Sequence, residues 1–319
     1  MQFKSMDSWK AQMKKRAQEK KIDVTDMQQR YILEEFASKI SHSEHKDNFV
    51  LKGGFIVSNL LGIDWRTTRD IDMTFRSTVY SETEIRNILM DVIQVKDDSF
   101  FQYEIDTIKE GQEDDGYSGF TVTINALHGK TKLPLKLDIS NNTLIYPKAI
   151  ENTFKSIFDD KEIRVMSYSI ENIIAEKFET TLDRGEYNTR MRDLFDIALL
   201  MESQKYLIDH ALLAECIVEV SKERNTLENL NDFDEIINDL EASDIFNKNF
   251  DAYKNNTYPG IMLTLKDIFD IFSTIRDSIQ IYLQSDRTAA FDNKLQNAEK
   301  QTKKITFKEK HQYNDEKER

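Results

Sequence analysis

The sequence predicts an α+β protein, with a small mixed sheet and flanking helices followed by a helical C-terminal domain. Segments with strand periodicity are confined to residues 49–167, and helical periodicity dominates on both sides of them. The 319-residue chain has only 9 glycines and 3 prolines, too few for a turn-dense all-β architecture. Hydrophobic residues make up 39% of the chain, which is enough for a sizeable core.

The periodicity predicts elements in a definite order along the chain. Strands are predicted at 49–54, 69–75, 100–108, 116–127, 133–140 and 162–167, with a hairpin turn at 111–116. Helices are predicted as a pair within 7–41 and then at 55–62, 81–95, 170–183, 190–203, 206–222, 232–242 and 261–285. We therefore expect N-terminal helices over 1–44, a sheet domain over 45–168 and a helical domain over 169–298. A charged, flexible tail is expected over 299–319.

Composition and charge exclude several classes of protein. The single cysteine, Cys216, allows no internal disulfide, and no apolar run approaches the ~20 residues of a membrane span. We expect a cytoplasmic protein without a membrane partner. The formal net charge of −13 argues against loose nucleic-acid binding but leaves room for a local basic groove. Two basic runs, at 14–21 and 300–310, are candidates for it, although solvated helix faces are the commoner explanation.

Two carboxylates lie two residues apart in RDIDMTF (69–75), a segment with strand character. Side chains at i and i+2 of a strand point to the same face, so Asp70 and Asp72 should lie side by side. Carboxylates that close repel each other unless a cation lies between them. Mg²⁺, or Mn²⁺ in its place, prefers such oxygen ligands together with substrate phosphates. On its own, the pair could equally be an exposed strand edge.

Three neighbouring features favour the metal site. Gly53 and Gly54 lie at a strand-to-helix junction, where glycine admits a ligand and the helix N-terminus offers N–H groups to a phosphate, although a plain tight turn would look the same. The run RTTR at 66–69 supplies cations and hydroxyls for a triphosphate. Asp138, in the alternating segment LKLDIS, adds a third carboxylate and would complete a two-metal site for displacement at phosphorus.

A second group of charged residues lies in ENIIAEKFETTLDRGEYNTRMRDLFDIALL (171–200). Lys177 is predicted in the middle of one helix, whereas Arg190, Asp193 and Asp196 crowd the start of the next. Asp193 and Asp196 are i, i+3 neighbours and share one face of that helix. An ion-paired helix surface would explain this stretch on its own, because acidic residues favour helix N-termini.

Together the two groups resemble a known signature. The pattern KGG-x₁₁-R-x-T-x-D-I-D (52–72) resembles that of polymerase-β-type nucleotidyltransferases. A glycine pair where Gly-Ser is usual is typical of the AbiEii/AbiGii-like toxin family. The elements EK, RG, NTR and D-x-x-D, within 176–196, resemble the second half of that family's signature in the expected order. The resemblance covers roughly residues 45–205.

The resemblance implies a role for each matched position. Residues 45–168 would form a nucleotidyltransferase domain, and 169–298 would complete its active site. The catalytic residues would be Asp70, Asp72, Lys177 and Asp193. The metal ligands would be Asp70, Asp72 and Asp138. Nucleotide contacts would involve Lys52, Gly53, Gly54, Arg66, Thr68, Arg190 and Asp196, the last of which could also brace the site together with Arg190.

The resemblance also implies a biological role, as the toxin of a bacterial toxin–antitoxin or abortive-infection system. Such an enzyme would use Mg²⁺ or Mn²⁺ to transfer NMP from an NTP substrate, and the tRNA 3′ end is the expected acceptor. The implied partners are NTP, tRNA or another RNA, and a cognate antitoxin encoded nearby. Two alternatives remain: an NTP-binding toxin without transfer activity, and a nucleotidyltransferase with a small-molecule or protein acceptor.

Overall fold

Seven strands form one sheet in the computed structural model, which describes residues 3–77, 79–112, 118–141, 143–159 and 161–285. The strands are β1 (Phe49–Lys52), β2 (Asp70–Phe75), β3 (Gln102–Gln112), β4 (Ser118–His128), β5 (Thr131–Asn141), β6 (Ile150–Lys155) and β7 (Glu162–Ser167). The helices of the N-terminal half are α1 (Met6–Lys20), α2 (Val24–His42), α3 (Gly53–Leu61) and α4 (Glu82–Gln94). Those that follow the sheet are α5 (Ile170–Arg184), α6 (Met191–Ser203), α7 (His210–Glu223), α8 (Phe233–Ala242), α9 (Asp244–Thr257) and α10 (265–285).

The strand order across the sheet is β3-β4-β5-β2-β1-β7-β6. The pairs β2–β5 and β1–β7 are parallel, and the other neighbours are antiparallel, so the predicted mixed sheet is confirmed. The β2–β5 pair brings together two strands that are separated along the chain by α4 and the β3–β4 hairpin. This pairing places the predicted carboxylates on neighbouring strands.

Local sequence accounts for the way the helices that carry the site begin and end. The Ser169 hydroxyl accepts a hydrogen bond from the Asn172 N–H and caps the start of α5, and Gly185, with a φ of 49°, caps its end after Arg184. In contrast, α3 starts directly after β1 at Gly53, and no side chain caps it. At the start of α4, the Ser81 hydroxyl accepts from the Glu84 N–H and caps the helix.

The helical half of the chain packs against the sheet half through one continuous hydrophobic core. Helix α6 lies against α3, α5 and α9. Its Phe195 ring stacks on Phe250 of α9 at a centroid distance of 5.2 Å and on Tyr258 at 5.1 Å. These contacts hold α6 against α9 and the segment that follows it. No helix in the described part of the chain has the length and apolarity needed to cross a membrane.

The structure differs from the predicted elements at several places. Helix α3 already begins at Gly53 rather than at 55, so the glycine pair forms its first turn. Helix α7 begins at His210 rather than 206, because Asp209 caps it. Strand β6 and helix α9 were not predicted. Residues 113–117, in the predicted hairpin turn, and 286–319, which include the predicted tail, lie outside the described residues. The predicted domain boundaries remain predictions.

Candidate active site

Three carboxylates lie on the neighbouring strands β2 and β5. Asp70 and Asp72 project from the same face of β2, as their spacing predicts. In the parallel register Asp72 lies opposite Asp138, and Asp70 lies opposite Lys136. The sheet therefore concentrates negative charge at one place.

The electrostatics of Asp72 reflect this crowding. Burial, and then the neighbouring Asp70 carboxylate, raise the pKa of Asp72 to about 6, with Lys52 opposing the shift. The Gly54 N–H donates to Asp72 Oδ2 at 3.3 Å. Asp70 is held differently, because the Thr68 hydroxyl donates to its Oδ1 at 2.7 Å. Thr68 thus orients one of the two carboxylates.

Asp138 is held by two donors in the structure. Thr121 Oγ1 donates to Oδ1 at 2.8 Å, and Lys136 Nζ lies 2.6 Å from Oδ2. Burial disfavours the ammonium of Lys136, but the hydrogen bond to Asp138 and the charges of the Asp138, Asp70 and Asp72 carboxylates together outweigh burial and raise the Lys136 pKa. In this structure, Lys136 is therefore the cation that is paired with Asp138.

The donor set of the strand pair fits a divalent cation such as Mg²⁺. It consists of hard carboxylate oxygens, and a bound cation would offset both the burial and the Asp70 charge that raise the pKa of Asp72. Among the described residues, the group of three possible ligands whose donor atoms all lie within 4.8 Å of one another is a different one, Glu44, His45 and Asp91. That group is at the opposite end of β1 from Lys52 and is mostly exposed.

The glycine pair is explained by two close approaches. A Cβ on Gly53 would lie 2.2 Å from Asp72 Oδ2, and the residue has a φ of +60°. A Cβ on Gly54 would lie 2.8 Å from Thr68 Oγ1 and 2.9 Å from Arg66 Nη2. In the structure, the groups that lie close to these glycines are side chains of the site itself: Asp72 at Gly53, and Thr68 and Arg66 at Gly54.

The second predicted group forms a buried ion cluster between α5 and α6. Lys177 is only 9% exposed, and its ammonium contacts the Asp193 carboxylate and lies 2.9 Å from Asp196 Oδ2. Arg190 Nε lies 2.8 Å from Asp193 Oδ2, and Arg66 Nε lies 2.9 Å from Asp196 Oδ1. Three cations thus surround two carboxylates.

Mutual stabilisation keeps this cluster charged. Burial disfavours the charged form of Lys177, but the Asp193 and Asp196 carboxylates outweigh burial and raise its pKa. Burial likewise disfavours ionised Asp193, but Lys177 and then Arg190 lower its pKa. Lys177 is therefore a fixed positive charge at neutral pH.

The strand pair and the ion cluster face one cavity of about 390 Å³, a size within the usual range for small-ligand sites. Seven of the predicted site residues line it: Lys52, Gly53, Asp72, Asp138, Lys177, Arg190 and Asp193. The remaining five do not line it: Gly54, Arg66, Thr68, Asp70 and Asp196.

Other lining residues escaped the sequence prediction. Arg224, just after α7, lies 2.6 Å from Glu179 and 3.7 Å from Glu176, and Glu176 and Thr180 line the cavity with it. Nothing in the sequence around Arg224 indicates that it reaches α5. Lys136 and Thr121 also line the cavity, and the alternation of β5 does place Lys136 on the face of Asp138.

The predicted N-terminal basic run is partly engaged in the fold. Arg16 donates to the backbone carbonyls of Ile157 and Phe158, and Lys20 lies 3.2 Å from Asp64. The other basic run, 300–310, lies outside the described residues. In the described part of the chain, the cavity walls themselves carry the cations Lys52, Lys136, Lys177, Arg190 and Arg224.

Comparison with known proteins identifies one family. The family model described as "Nucleotidyl transferase AbiEii toxin, Type IV TA system" matches residues 36–305. Among solved structures, the chain is similar to JHP933 from Helicobacter pylori, at 17% identity and a TM-score of 0.47, over 85% of this chain and 98% of that one. A second H. pylori chain, presented as a candidate nucleotidyltransferase, shares 15% identity at a TM-score of 0.44, over 82% of this chain and 98% of that one. No curated protein matches the chain.

Proposed function

The chain belongs to the AbiEii nucleotidyl transferase toxin family of type IV toxin–antitoxin systems, and from this premise we propose that it transfers NMP from an NTP to the 3′ end of tRNA. The observation that carries the proposal is the single cavity between the β2–β5 carboxylates and the Lys177–Asp193 pair. Carboxylates on one wall suit divalent cations, and a fixed ammonium on the other suits a triphosphate.

Asp70, Asp72 and Asp138 would hold Mg²⁺ or Mn²⁺. A bound divalent cation supplies charge neutralisation at the phosphates and lowers the pKa of a coordinated hydroxyl. The contribution of the chain is to place the three carboxylates on two hydrogen-bonded strands. Thr68 and Thr121 fix the carboxylates of Asp70 and Asp138 through hydrogen bonds of 2.7 and 2.8 Å.

The triphosphate would lie against the cationic side chains of the cavity. Lys177 offers a positive charge held between two carboxylates, and Arg190 and Arg224 lie on the same helical wall. Lys52 approaches from the end of β1. The acceptor oxygen would form a bond to the α-phosphorus while the bond from that phosphorus to the bridging oxygen of pyrophosphate breaks.

Three further assignments belong to the same proposal. Asp72, Asp70, Lys177 and Asp193 are the residues on which transfer depends. The acceptor is an RNA that meets the cationic helical wall, and an antitoxin encoded nearby is the partner implied by the family description. Growth arrest then follows from modified tRNA rather than from nucleotide capture.

The test is incubation of the purified protein with each α-³²P-labelled NTP, Mg²⁺ and total cellular RNA, followed by denaturing electrophoresis. We expect label at the size of tRNA with the wild type and none with Asp72→Asn. The control is Asp106→Asn, which removes a carboxylate of the same sheet that is paired with exposed Lys132. Absence of labelled RNA with all four NTPs contradicts the tRNA acceptor.

The same experiment separates the alternatives. Label in a protein or a small molecule, with none in RNA, would favour a different acceptor. Expression of Asp70→Ala in cells tests toxicity without transfer. If growth arrest persists in a variant that transfers nothing, nucleotide binding alone is the toxic activity.

A further inference from the structure

Arg66 occupies an unusual position for a residue of a phosphate-binding motif. It lies in the loop between α3 and β2, only 4% of its surface is exposed, and it does not line the cavity. Its guanidinium is engaged with protein groups on two sides. The Nη1 donates to the Thr67 carbonyl, while Nε and Nη2 face the Asp196 carboxylate at 2.9 and 3.5 Å.

Asp196, the partner of Arg66, is also paired with Lys177. The Asp196 side chain is fully buried, with one oxygen toward Arg66 and the other 2.9 Å from Lys177 Nζ. A carboxylate without solvent needs cationic partners to stay ionised, and here it has two. Removing Arg66 would leave Asp196 with Lys177 as its cationic partner, whereas Asp193 would keep Arg190, so the ammonium would be drawn from its present place toward Asp196.

The Arg66 contact also joins the two halves of the site. Arg66 precedes Asp70 by four residues, and its Nη2 lies against Gly54 at the start of α3, where a Cβ would come within 2.9 Å. Asp196 lies on α6, and Lys177 lies on α5. A continuous series of buried contacts, from Arg66 through Asp196 to Lys177, therefore links the strand side of the cavity to its helical side.

We propose that Arg66 is a positioning residue, which acts through Asp196 to hold the Lys177 ammonium at the cavity wall and does not touch the nucleotide. The inference rests on the proposed function, in which Lys177 binds the triphosphate. It replaces the nucleotide contact that the sequence motif implied for Arg66. Lysine has a flexible four-carbon stem, so its place has to be fixed by its neighbours.

A double-mutant cycle tests this assignment. Arg66→Met, Lys177→Met and the double variant are compared for the Kd of NTP without acceptor and for kcat/KM of incorporation. If Arg66 acts through Lys177, Arg66→Met lowers kcat/KM by about 100-fold, the cost of a misplaced group. In the Lys177→Met background the same change has no further effect beyond about twofold. Effects that multiply across the two sites overturn the proposal, because they indicate a separate contact of Arg66 with the nucleotide.

Two controls separate positioning from loss of fold. Arg30→Met removes an equally buried guanidinium that does not line the cavity, is paired with Glu34 of α2 and donates to Ser58 and Asn59 of α3. It should lower the melting temperature while changing Kd and kcat/KM by no more than about threefold. Arg66→Lys keeps a positive charge but loses the planar, two-donor geometry of the guanidinium. It should therefore fold and retain more kcat/KM than Arg66→Met. Equal losses of kcat/KM in Arg30→Met and Arg66→Met would reduce Arg66 to a structural residue.

The cycle also distinguishes the two proposals from each other. If the wild type binds NTP but labels no acceptor, the proposed transfer fails, and the Kd cycle still decides the role of Arg66. If transfer occurs but the two effects multiply, the transfer proposal stands and the positioning role fails.

Discussion

At the residue scale, the backbone at Gly53 turns into the left-handed region directly beside the Asp72 carboxylate. A Cβ at Gly53 would come within 2.2 Å of Asp72 Oδ2, and the φ of +60° disfavours any L side chain. We expect Gly53→Ala to lower stability by more than the ~1–2 kcal/mol of left-handed strain and to abolish transfer, because Asp72 must move. Urea unfolding and the incorporation assay measure the two effects.

Gly129 provides a matched control for this prediction. It has nearly the same φ, +59°, but nothing lies within 4 Å of its missing Cβ. Gly129→Ala should therefore show the backbone strain alone and retain transfer. Normal incorporation by Gly53→Ala would contradict the close packing of Gly53 on the site carboxylate.

The residue-scale predictions that depended on local spacing agree with the geometry. The i, i+2 spacing of Asp70 and Asp72 puts both on one strand face. The helical spacing of Asp193 and Asp196 brings both to Lys177. Spacing alone could not show that Arg66 pairs with Asp196, because the two residues are separated by 130 positions in the sequence. It also could not show that Arg224 reaches Glu176 and Glu179.

At the scale of elements, Glu35 docks α2 on the start of β3. Its carboxylate accepts from the Phe100 and Phe101 N–H groups and from the Tyr31 and Tyr103 hydroxyls. Burial raises the pKa of Glu35 above its ordinary 4.5 despite these donors. A carboxyl with a raised folded-state pKa contributes stability below its unfolded-state pKa and loses it as pH rises through the folded-state value.

Thermal unfolding as a function of pH checks the sign of this contribution. The difference in melting temperature between the wild type and Glu35→Gln should shift in favour of the wild type as pH falls from neutral toward 4.5. Glu104→Gln, on the exposed side of β3, is the control and should show no such trend. A shift in the opposite direction would mean that the four donors outweigh burial.

Most helices and strands were predictable from their periodicity and caps, but strand β6 and helix α9 were not. Strand β6 (IENTFK) is an edge strand with mostly exposed side chains, so it lacks the apolar alternation of a buried strand. Helix α9 (DIFNKNFDAYKNNT) contains four asparagines, which are weak helix formers. Tertiary packing stabilises it, since Phe250 stacks on Phe195 and Phe246 on Phe269.

At the scale of the whole molecule, Cys216 reports on the integrity of the shared core. The thiol is fully buried in α7, which packs on α5, and burial raises its pKa to about 12. We expect iodoacetamide at pH 8 to alkylate the native protein on the order of 10³-fold more slowly than a free thiol, because little thiolate is present.

Mass spectrometry of the alkylated protein measures this rate, with protein in urea as the positive control. Saturating NTP should slow alkylation further, since ligands that bind the native state suppress opening. Rapid modification of the native protein without denaturant would contradict a core that is continuous through α5 and α7.

The sequence predicted that the sheet is mixed, but not the order of its strands. Alternating strands and a long helical run predict a mixed sheet followed by helices, and both are present. The parallel β2–β5 pairing could not be derived from periodicity, because α4 and the β3–β4 hairpin separate the two strands. That pairing puts Asp138 opposite Asp72. The position of the third carboxylate is therefore set by a long-range contact that local spacing does not show.

The reaction proposed for the cavity between the β2–β5 carboxylates and Lys177 transfers the α-phosphoryl group of an NTP together with its nucleoside. The most direct measurement uses two preparations of one NTP, labelled with ³²P at the α- or the γ-phosphate, in parallel reactions with wild-type protein, Mg²⁺ and RNA. We expect α-label on the RNA and γ-label released as pyrophosphate. Label from the γ-phosphate on the RNA, or its release as inorganic phosphate with no α-label on the RNA, would contradict it.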